Sequence, residues 1–259
     1  MKTLNLVGSD AADVADRLVP RLDGRVATVE TLPETAARDT DAGAAYGLSP
    51  DGSWIGAGAG RDLPDLLDDL VPEFDYALTV GFADARLPTV AIGDADPDGG
   101  ALLTLDAADA DLDPVLDAAA DLDPRITLES LVERAEASPL AERSGAIATF
   151  TGRVRVKDAA DDTPTTQLKF EKYEGVAADR MRAIREELEA RDGVFEVLMH
   201  HRTGVIREGE DIVFVVVLAG HREEAFRTVE DGINRLKDEV PIFKKETTES
   251  EEFWIHERA

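Results

Sequence analysis

Basic side chains are scarce in this sequence, and where they occur their placement suits an anionic ligand. The chain has 28 Lys and Arg against 55 Asp and Glu. Met1 to Asp123 carries 7 basic and 26 acidic residues, a net of −19, whereas Pro124 to Ala259 carries 21 and 29, a net of −8. All four histidines and every lysine except Lys2 fall in the second part. Cations are hard to retain in an acid-selected sequence, so this concentration hints at an anion site. Lys237 sits near the C-terminal end of a predicted helix, where the helix dipole favours a cation; an ordinary surface lysine fits the same position. Lys244 and Lys245 are consecutive on a predicted extended segment, so they point to opposite faces and spacing does not choose between them. Arg155 ends a predicted strand beside a polar loop, where a guanidinium can grip phosphate or carboxylate bidentately or pair with nearby aspartates. Arg153 points to the same face. His221-Arg222 stands at a strand-to-helix junction, whose unpaired N–H groups suit phosphate, although His221 also fits a structural cap. His200 and His201 are strand neighbours facing opposite sides and cannot share one metal ion, so no metal site is read.

The sequence excludes several classes. It has no cysteine, hence no disulfide, thiolate metal site or cysteine nucleophile; any sulfur chemistry must use sulfur brought by a partner or substrate. A net charge of −27 repels nucleic acid and anionic membranes. No apolar run approaches the ~20 residues of a membrane span, and Met1 to Asn5 opens no signal-peptide core, so the expected location is cytoplasmic. Aspartate replaces lysine along the whole chain and not in one patch. That pattern fits a salt-rich cytoplasm, where screening weakens self-repulsion, better than a local acidic docking surface.

The elements that must position the cations follow from hydrophobic periodicity. Strands are predicted over Thr3–Val7, Arg25–Val29, Tyr76–Val80 and Thr89–Ile92, with helices over Ala11–Leu22, Leu63–Val71 and Asp113–Leu122 and a short apolar run at Ala101–Leu105. Strands alternating with helices predict a small α/β domain with a mainly parallel sheet. Asp123-Pro124 breaks the last helix, which places the domains at 1–123 and 124–259. The second domain reads as α+β. Its helices are Leu128–Ala137, Ala177–Ala190 and Arg222–Glu239, the last with Phe226, Val229, Ile233 and Leu236 on one face. Its strands are Gly145–Val156, Thr166–Tyr173, Val194–Arg202, Asp211–Ala219, an extended Ile242–Thr247 and Phe253–His256, with a turn at Arg207–Glu210.

Several runs in this second part resemble the catalytic (large) subunit family of molybdopterin synthase, the MoaE family. They are Gly145 to Arg155 (GAIATFTGRVR), Leu168 to Tyr173 (LKFEKY), His201 to Gly204 (HRTG) with Gly209 to Val213 (GEDIV), and Gly220-His221-Arg222 with Ala225-Phe226. Leu236-Lys237, Pro241 to Glu246 (PIFKKE) and Trp254 through Arg258 complete the set. The matches come in order over the second domain. The first domain resembles the GTP-binding MobB type through Met1 to Gly8, Phe74 to Phe82 and Leu87-Pro88. It departs where that family carries a Gly-Lys-Thr phosphate loop: here the run is Gly8-Ser9-Asp10-Ala11-Ala12-Asp13, with no lysine and with aspartates that repel phosphate. A domain lacking a P-loop is expected not to hydrolyse GTP.

The resemblance implies an α/β-hammerhead fold for the second domain and no bound cofactor. It implies a homodimer within a heterotetramer, each protomer binding a small ubiquitin-like sulfur carrier whose Gly-Gly thiocarboxylate tail delivers sulfur to cyclic pyranopterin monophosphate. It implies catalytic roles for Lys237 and Lys244, with Lys245 the solvated neighbour. Arg155, His221, Arg222 and Arg258 are implied to bind substrate, Arg258 by reaching a neighbouring protomer's site. Phe150 is implied to line the tail channel, although simple core packing also fits it. A lysine among other cations has its pKa lowered and becomes nucleophilic, which allows an amide bond to the carrier tail when acceptor is absent. The competing reading is a non-enzymatic acceptor modified on lysine by a ubiquitin-like protein. The composition itself makes one prediction: transfer from concentrated salt to dilute buffer unfolds the protein, as followed by circular dichroism, and a fold retained in dilute buffer refutes the salt-adaptation reading.

Overall fold

A computed structural model describes residues 1–32, 43–157, 159, 162–248 and 252–255, with backbone alone at 172, 174 and 252–255. The chain divides into two compact units, Met1–Ile126 and Thr127–Ala259.

The first unit is built on a parallel sheet. Its strands are β1 (Lys2–Val7), β2 (Val26–Glu30), β5 (Tyr76–Val80), β6 (Thr89–Ile92) and β7 (Leu103–Leu105), in the order β2-β5-β1-β6-β7. Every pairing in this sheet is parallel. Central β1 is buried from Thr3 to Val7, although Thr3 and Asn5 interrupt its apolar residues. Its one strongly polar residue, Asn5, is fully paired: it donates to the Phe82 carbonyl (2.9 Å) and Thr89 Oγ1 (3.1 Å) and accepts from Thr79 Oγ1 (2.9 Å). The helices are α1 (Ala11–Leu18), α2 (Leu63–Leu70) and α3 (Asp113–Asp121). Asp62 caps α2 by accepting from the Asp65 N–H at 2.9 Å. α1 is shorter than its periodicity predicts. Pro20 cannot donate back into the helix, so the chain tightens into a 3₁₀ turn at Val19–Arg21 and leaves Leu22 outside. An antiparallel hairpin, β3 (Ala44–Leu48) and β4 (Trp54–Gly58), has no counterpart in the sequence-based expectations.

The second unit has two antiparallel sheets. β10 (Val194–His201), β12 (Asp211–Ala219) and β8 (Ala146–Arg153) form one, with β12 in the middle. β11 (Gly204–Arg207), β9 (Thr165–Lys172), β13 (Ile242–Thr248) and β14 (Glu252–Ile255) form the other, in that order. The helices are α4 (Leu128–Glu136), α5 (Glu174–Glu189) and α6 (Arg222–Glu239). β12 is buried from Val213 to Ala219. Val213, Val215, Val217 and Ala219 face a core shared with Ile184 and Leu188 of α5 and with Ala225, Val229, Ile233 and Leu236 of α6. α4 also packs against β12 and its neighbours; its Thr127 cap and Ser130 exchange hydrogen bonds that fix its start.

Three expectations need correction. β8 ends at Arg153, so Arg155 lies two residues beyond the strand. An extra residue at Ile212 disturbs the β8–β12 register, Asp211 pairing with Arg153 and Val213 with Gly152, and such bulges commonly end pairing at a sheet margin. The short strand β11 occupies residues for which the sequence predicts no strand, and it takes Arg207 from the expected turn. Phe226 is 66% exposed; the buried face of α6 runs through Ala225, Thr228, Val229, Gly232, Ile233 and Leu236, and Phe226 sits about 100° round the helix from Ala225.

Gly232 lets α6 approach the sheet closely. A methyl group there would lie 3.1 Å from Val215 Cγ1 and 3.6 Å from Leu188 Cδ1. Gly232→Leu is expected to destabilise the protein by about 1–3 kcal/mol through overpacking, measurable by denaturant unfolding in concentrated salt.

Candidate functional site

α6 starts where β12 ends, and only Gly220 and His221 separate them. The helix must therefore run back along the strand, and the approach of Gly232 to Val215 shows that it does. Nine strand residues and eighteen helical ones both span roughly 27 Å, so the last turn of α6 returns to the end of the sheet where β12 began. Arg155 belongs to that same end. The Val154 N–H donates to the Glu210 carbonyl and the Gly209 N–H to the Val154 carbonyl, both at 3.0 Å, which ties the segment after β8 to the turn before β12.

Lys237 lies on the last turn of α6 with its side chain exposed. That turn is held by a network the sequence reading missed. Arg235 donates to Glu239 (2.7 Å) and to Glu187 of α5 (2.7 Å), and Arg180 of α5 also pairs with Glu239. The Arg235 hydrogen bond, with the charges of Arg235 and Arg180, holds the Glu239 carboxyl below its ordinary range; the same bond raises the Arg235 pKa further. The four-residue spacing of Arg235 and Glu239 was visible in the sequence, but its link to α5 was not.

After α6 the chain turns tightly at Val240-Pro241, the Ile242 N–H reaching the Val240 carbonyl at 2.8 Å. Lys237 and Lys244 therefore flank one turn. The strand register separates Lys244 from Lys245. Lys244 pairs with Phe170, and Glu246 pairs with Leu168; paired residues share a face. That face carries the Val154, Leu168, Phe170 and Ile206 core. Lys244 is thus on the inner face, 30% exposed, with Nζ 4.0 Å from Glu246, whose carboxylate also accepts from the Thr165 hydroxyl. Lys245 pairs with Lys169 on the outer face, where Glu171 lies 2.8 Å from Lys169.

The remaining candidates divide between two places. Phe150 pairs with Val215, packs partly into the main core and leans over Gly152, where a methyl group would meet its ring at 3.4 Å. Arg155 is exposed at the sheet end. Arg153 is 3.1 Å from Asp211 and also donates to the Gly209 carbonyl, so the neighbouring strand already engages it. His221 and Arg222 stand at the other end of α6. His221 occupies the cap position without a side-chain cap hydrogen bond, and both side chains are exposed. Glu223 and Glu224 occupy the same first turn and offset part of the positive potential there. About 24 Å of helix separates His221 from Lys237, so one small ligand cannot touch both within a single chain. Arg258 lies outside the described residues.

His201 is buried, edge-on to Phe170 at 4.9 Å, with Nδ1 2.7 Å from the Arg202 carbonyl. His200 stacks over Phe214. Among the described residues no group of three or more His, Asp or Glu is placed to hold a metal ion, and no helix is long and apolar enough to cross a membrane.

Known proteins similar to this chain fall in one family. The family described as "MoaE protein" matches residues 122–239. The chain is 62% identical to a "Probable molybdopterin synthase" of Haloferax volcanii, covering all of both chains. It is 35% identical to the "Molybdopterin synthase catalytic subunit" of Pyrococcus abyssi, over 48% of this chain and 82% of that one. A solved structure of molybdopterin synthase from Staphylococcus aureus aligns at 29% identity and a TM-score of 0.46, covering 52% of this chain and 93% of that one.

The network around Glu239 predicts a pH signature. A carboxyl whose folded pKa is depressed contributes stability above its unfolded pKa and loses it as the pH falls through the folded value. Glu239→Gln is therefore expected to lower the melting temperature at neutral pH, with the gap to wild type closing below the ordinary carboxylate range near 4.5. A gap that does not change with pH would contradict this account.

Proposed function

The chain belongs to the MoaE family of molybdopterin synthase catalytic subunits, sulfurtransferases of molybdenum-cofactor biosynthesis, and on that footing we propose how its cations divide the work. The observation that carries the reading is the placement of Lys237 and Lys244 on either side of one turn, with Arg155 at the same end of the sheet. The proposed substrate, cyclic pyranopterin monophosphate, is an anion, and the proposed sulfur donor is the C-terminal thiocarboxylate of a small ubiquitin-like carrier, also an anion. Bringing two anions together requires cations facing a partly dehydrated surface. The chain has no cysteine, so the transferred sulfur comes from the carrier.

Lys244, on the inner face and steadied by Glu246, is proposed to stabilise the charge that develops as the thiocarboxylate adds to the pterin. Lys237, on the exposed last turn, is proposed to move a proton or to hold the leaving carboxylate. Arg155 grips phosphate or the tail carboxyl group. Phe150, half in the core, forms the apolar wall along which the Gly-Gly tail passes.

His221 and Arg222 cannot reach the same ligand within one chain. The separation of about 24 Å along α6 is resolved if a second copy supplies them, as the proposed homodimer does. Arg258 is assigned to the same cross-protomer contact. For the first unit, the connection from β1 to α1 is only Gly8-Ser9-Asp10, too short and too acidic to cradle a triphosphate. This unit is proposed not to hydrolyse GTP, and its location, with that of the whole chain, is proposed to be cytoplasmic.

The test is a turnover assay in concentrated salt with cyclic pyranopterin monophosphate and a thiocarboxylated carrier. Lys237→Ala and Lys244→Ala are each expected to lower the rate of molybdopterin formation about a hundredfold or more. Unchanged rates overturn these assignments. Mixing inactive Lys237→Ala with inactive Arg222→Ala, after exchange of subunits, is expected to restore about a quarter of the activity if each site draws on two copies. No recovery places both residues in one chain's site and refutes the shared arrangement.

A further inference from the structure

The β3–β4 hairpin of the first unit has a composition unlike the rest of the chain. Charged residues make up 32% of the sequence, yet Gly43 to Gly60 contains one, Asp51, at the hairpin turn. The hairpin is nonetheless open to solvent. Tyr46 is 71% exposed, Leu48 78%, Trp54 67% and Ile55 68%. The register places Leu48 opposite Trp54 and Tyr46 opposite Gly56, so Leu48, Trp54 and Tyr46 form one apolar face, and the Tyr46 and Trp54 rings lie 6.3 Å apart. A lone two-stranded hairpin is marginally stable in water. Among the described residues β4 pairs with β3 alone, and its outer edge has neither a lysine nor a proline to discourage pairing. A sequence that places acid almost everywhere else leaves this strip neutral and apolar.

We infer that β4 is the edge at which two copies of this chain join, strand to strand, about a two-fold axis at Gly56. The order of side chains favours a copy over a different partner. β4 reads Trp54-Ile55-Gly56-Ala57-Gly58. Antiparallel pairing with itself about Gly56 sets Trp54 against Gly58 and Ile55 against Ala57 of the other copy, so each large side chain meets a small one. The same operation on β3 would set Tyr46 against Tyr46, which makes β4 the better edge. Charge argues the same way. A second copy carries the same −27 and can approach a neutral strip without opposing like charges, whereas a basic partner would find nothing there to pair with. A two-fold contact of this kind buries the same patch on both copies and closes on itself. The inference rests on the first unit alone and stands apart from any dimer made by the second.

Because the chain has no cysteine, single introduced thiols report the contact directly. Paired Cα atoms in an antiparallel ladder lie about 4.5 or 5.5 Å apart, within the range a disulfide spans. Gly56→Cys in the full chain, oxidised in concentrated salt, is expected to give a disulfide-linked dimer. Ser53→Cys, three residues from the axis, is expected to stay monomeric on a denaturing gel. A side chain at Gly56 must displace the Tyr46 and Trp54 rings, which lie 3.1–3.2 Å from its first carbon. The double variant Ile55→Cys/Ala57→Cys therefore tests the same register without that crowding and is expected to cross-link as well. Adding Trp54→Glu should abolish cross-linking while circular dichroism is unchanged. Failure of both Gly56→Cys and the double variant to cross-link, or equal cross-linking at Ser53 and Gly56, would overturn the inference.

Discussion

The catalytic half of the chain depends on the burial of β12. Seven consecutive residues, Val213 to Ala219, lie out of water. A central strand covered on both faces cannot slip by one residue without exchanging its inward and outward sets. Its partners β8 and β10 are thereby held in register, and α6 is laid back along it. The length of β12 then decides which cations share an end. Arg155 and Lys237 come to one end and His221 to the other because strand and helix cover nearly equal distances. That match groups the two lysines by topology and sets the histidine apart.

Much of this was legible in the sequence. β5, β6, β12 and α6 have the bounds expected from the sequence, because each carries a strong apolar pattern, unbroken in the buried strands and periodic on the buried face of the helix. The errors fall where the signal is local or shared. Pro20 shortened α1 through a missing N–H that periodicity does not register. Phe226 read as a core residue because its spacing to Val229, Ile233 and Leu236 is helical, yet the buried face is centred one residue round, through Ala225, Thr228 and Gly232, which leaves Phe226 outward. The β3–β4 hairpin escaped because small residues and glycines give no alternation to read. For the site, spacing alone left Lys244 and Lys245 even. Only the register against Phe170 and Leu168 separates them, and register is a long-range property that no local window contains. The family resemblance pointed to Lys244, and the fold gives the physical basis for distinguishing it from its neighbour.

The acidic surface bears on the site as well. With 55 Asp and Glu against 28 Lys and Arg, several cations are paired with an acid. Arg153 is engaged by Asp211, Lys169 by Glu171 and Arg235 by two glutamates. Such exposed pairs contribute little individually, and salt screens them further. Their local role is to fix direction. The partners of Arg235 and of Lys244 hold the last turn of α6 and the start of β13, the two places from which Lys237 and Lys244 project.

Ile212 and Ile242 pack against both cores of the second unit, the one under α5 and α6 and the smaller one under β9, β11 and β13. Ile212 is the bulged residue of β12, and Ile242 is the first residue after the turn between the two lysines. The helical layer and the sheet carrying Lys244 are therefore riveted through two side chains. Protection from hydrogen exchange in these layers should be lost together and not in stages, because neither can open without exposing the shared pair. A chain caught in the act of folding would then present either both lysines in place or neither.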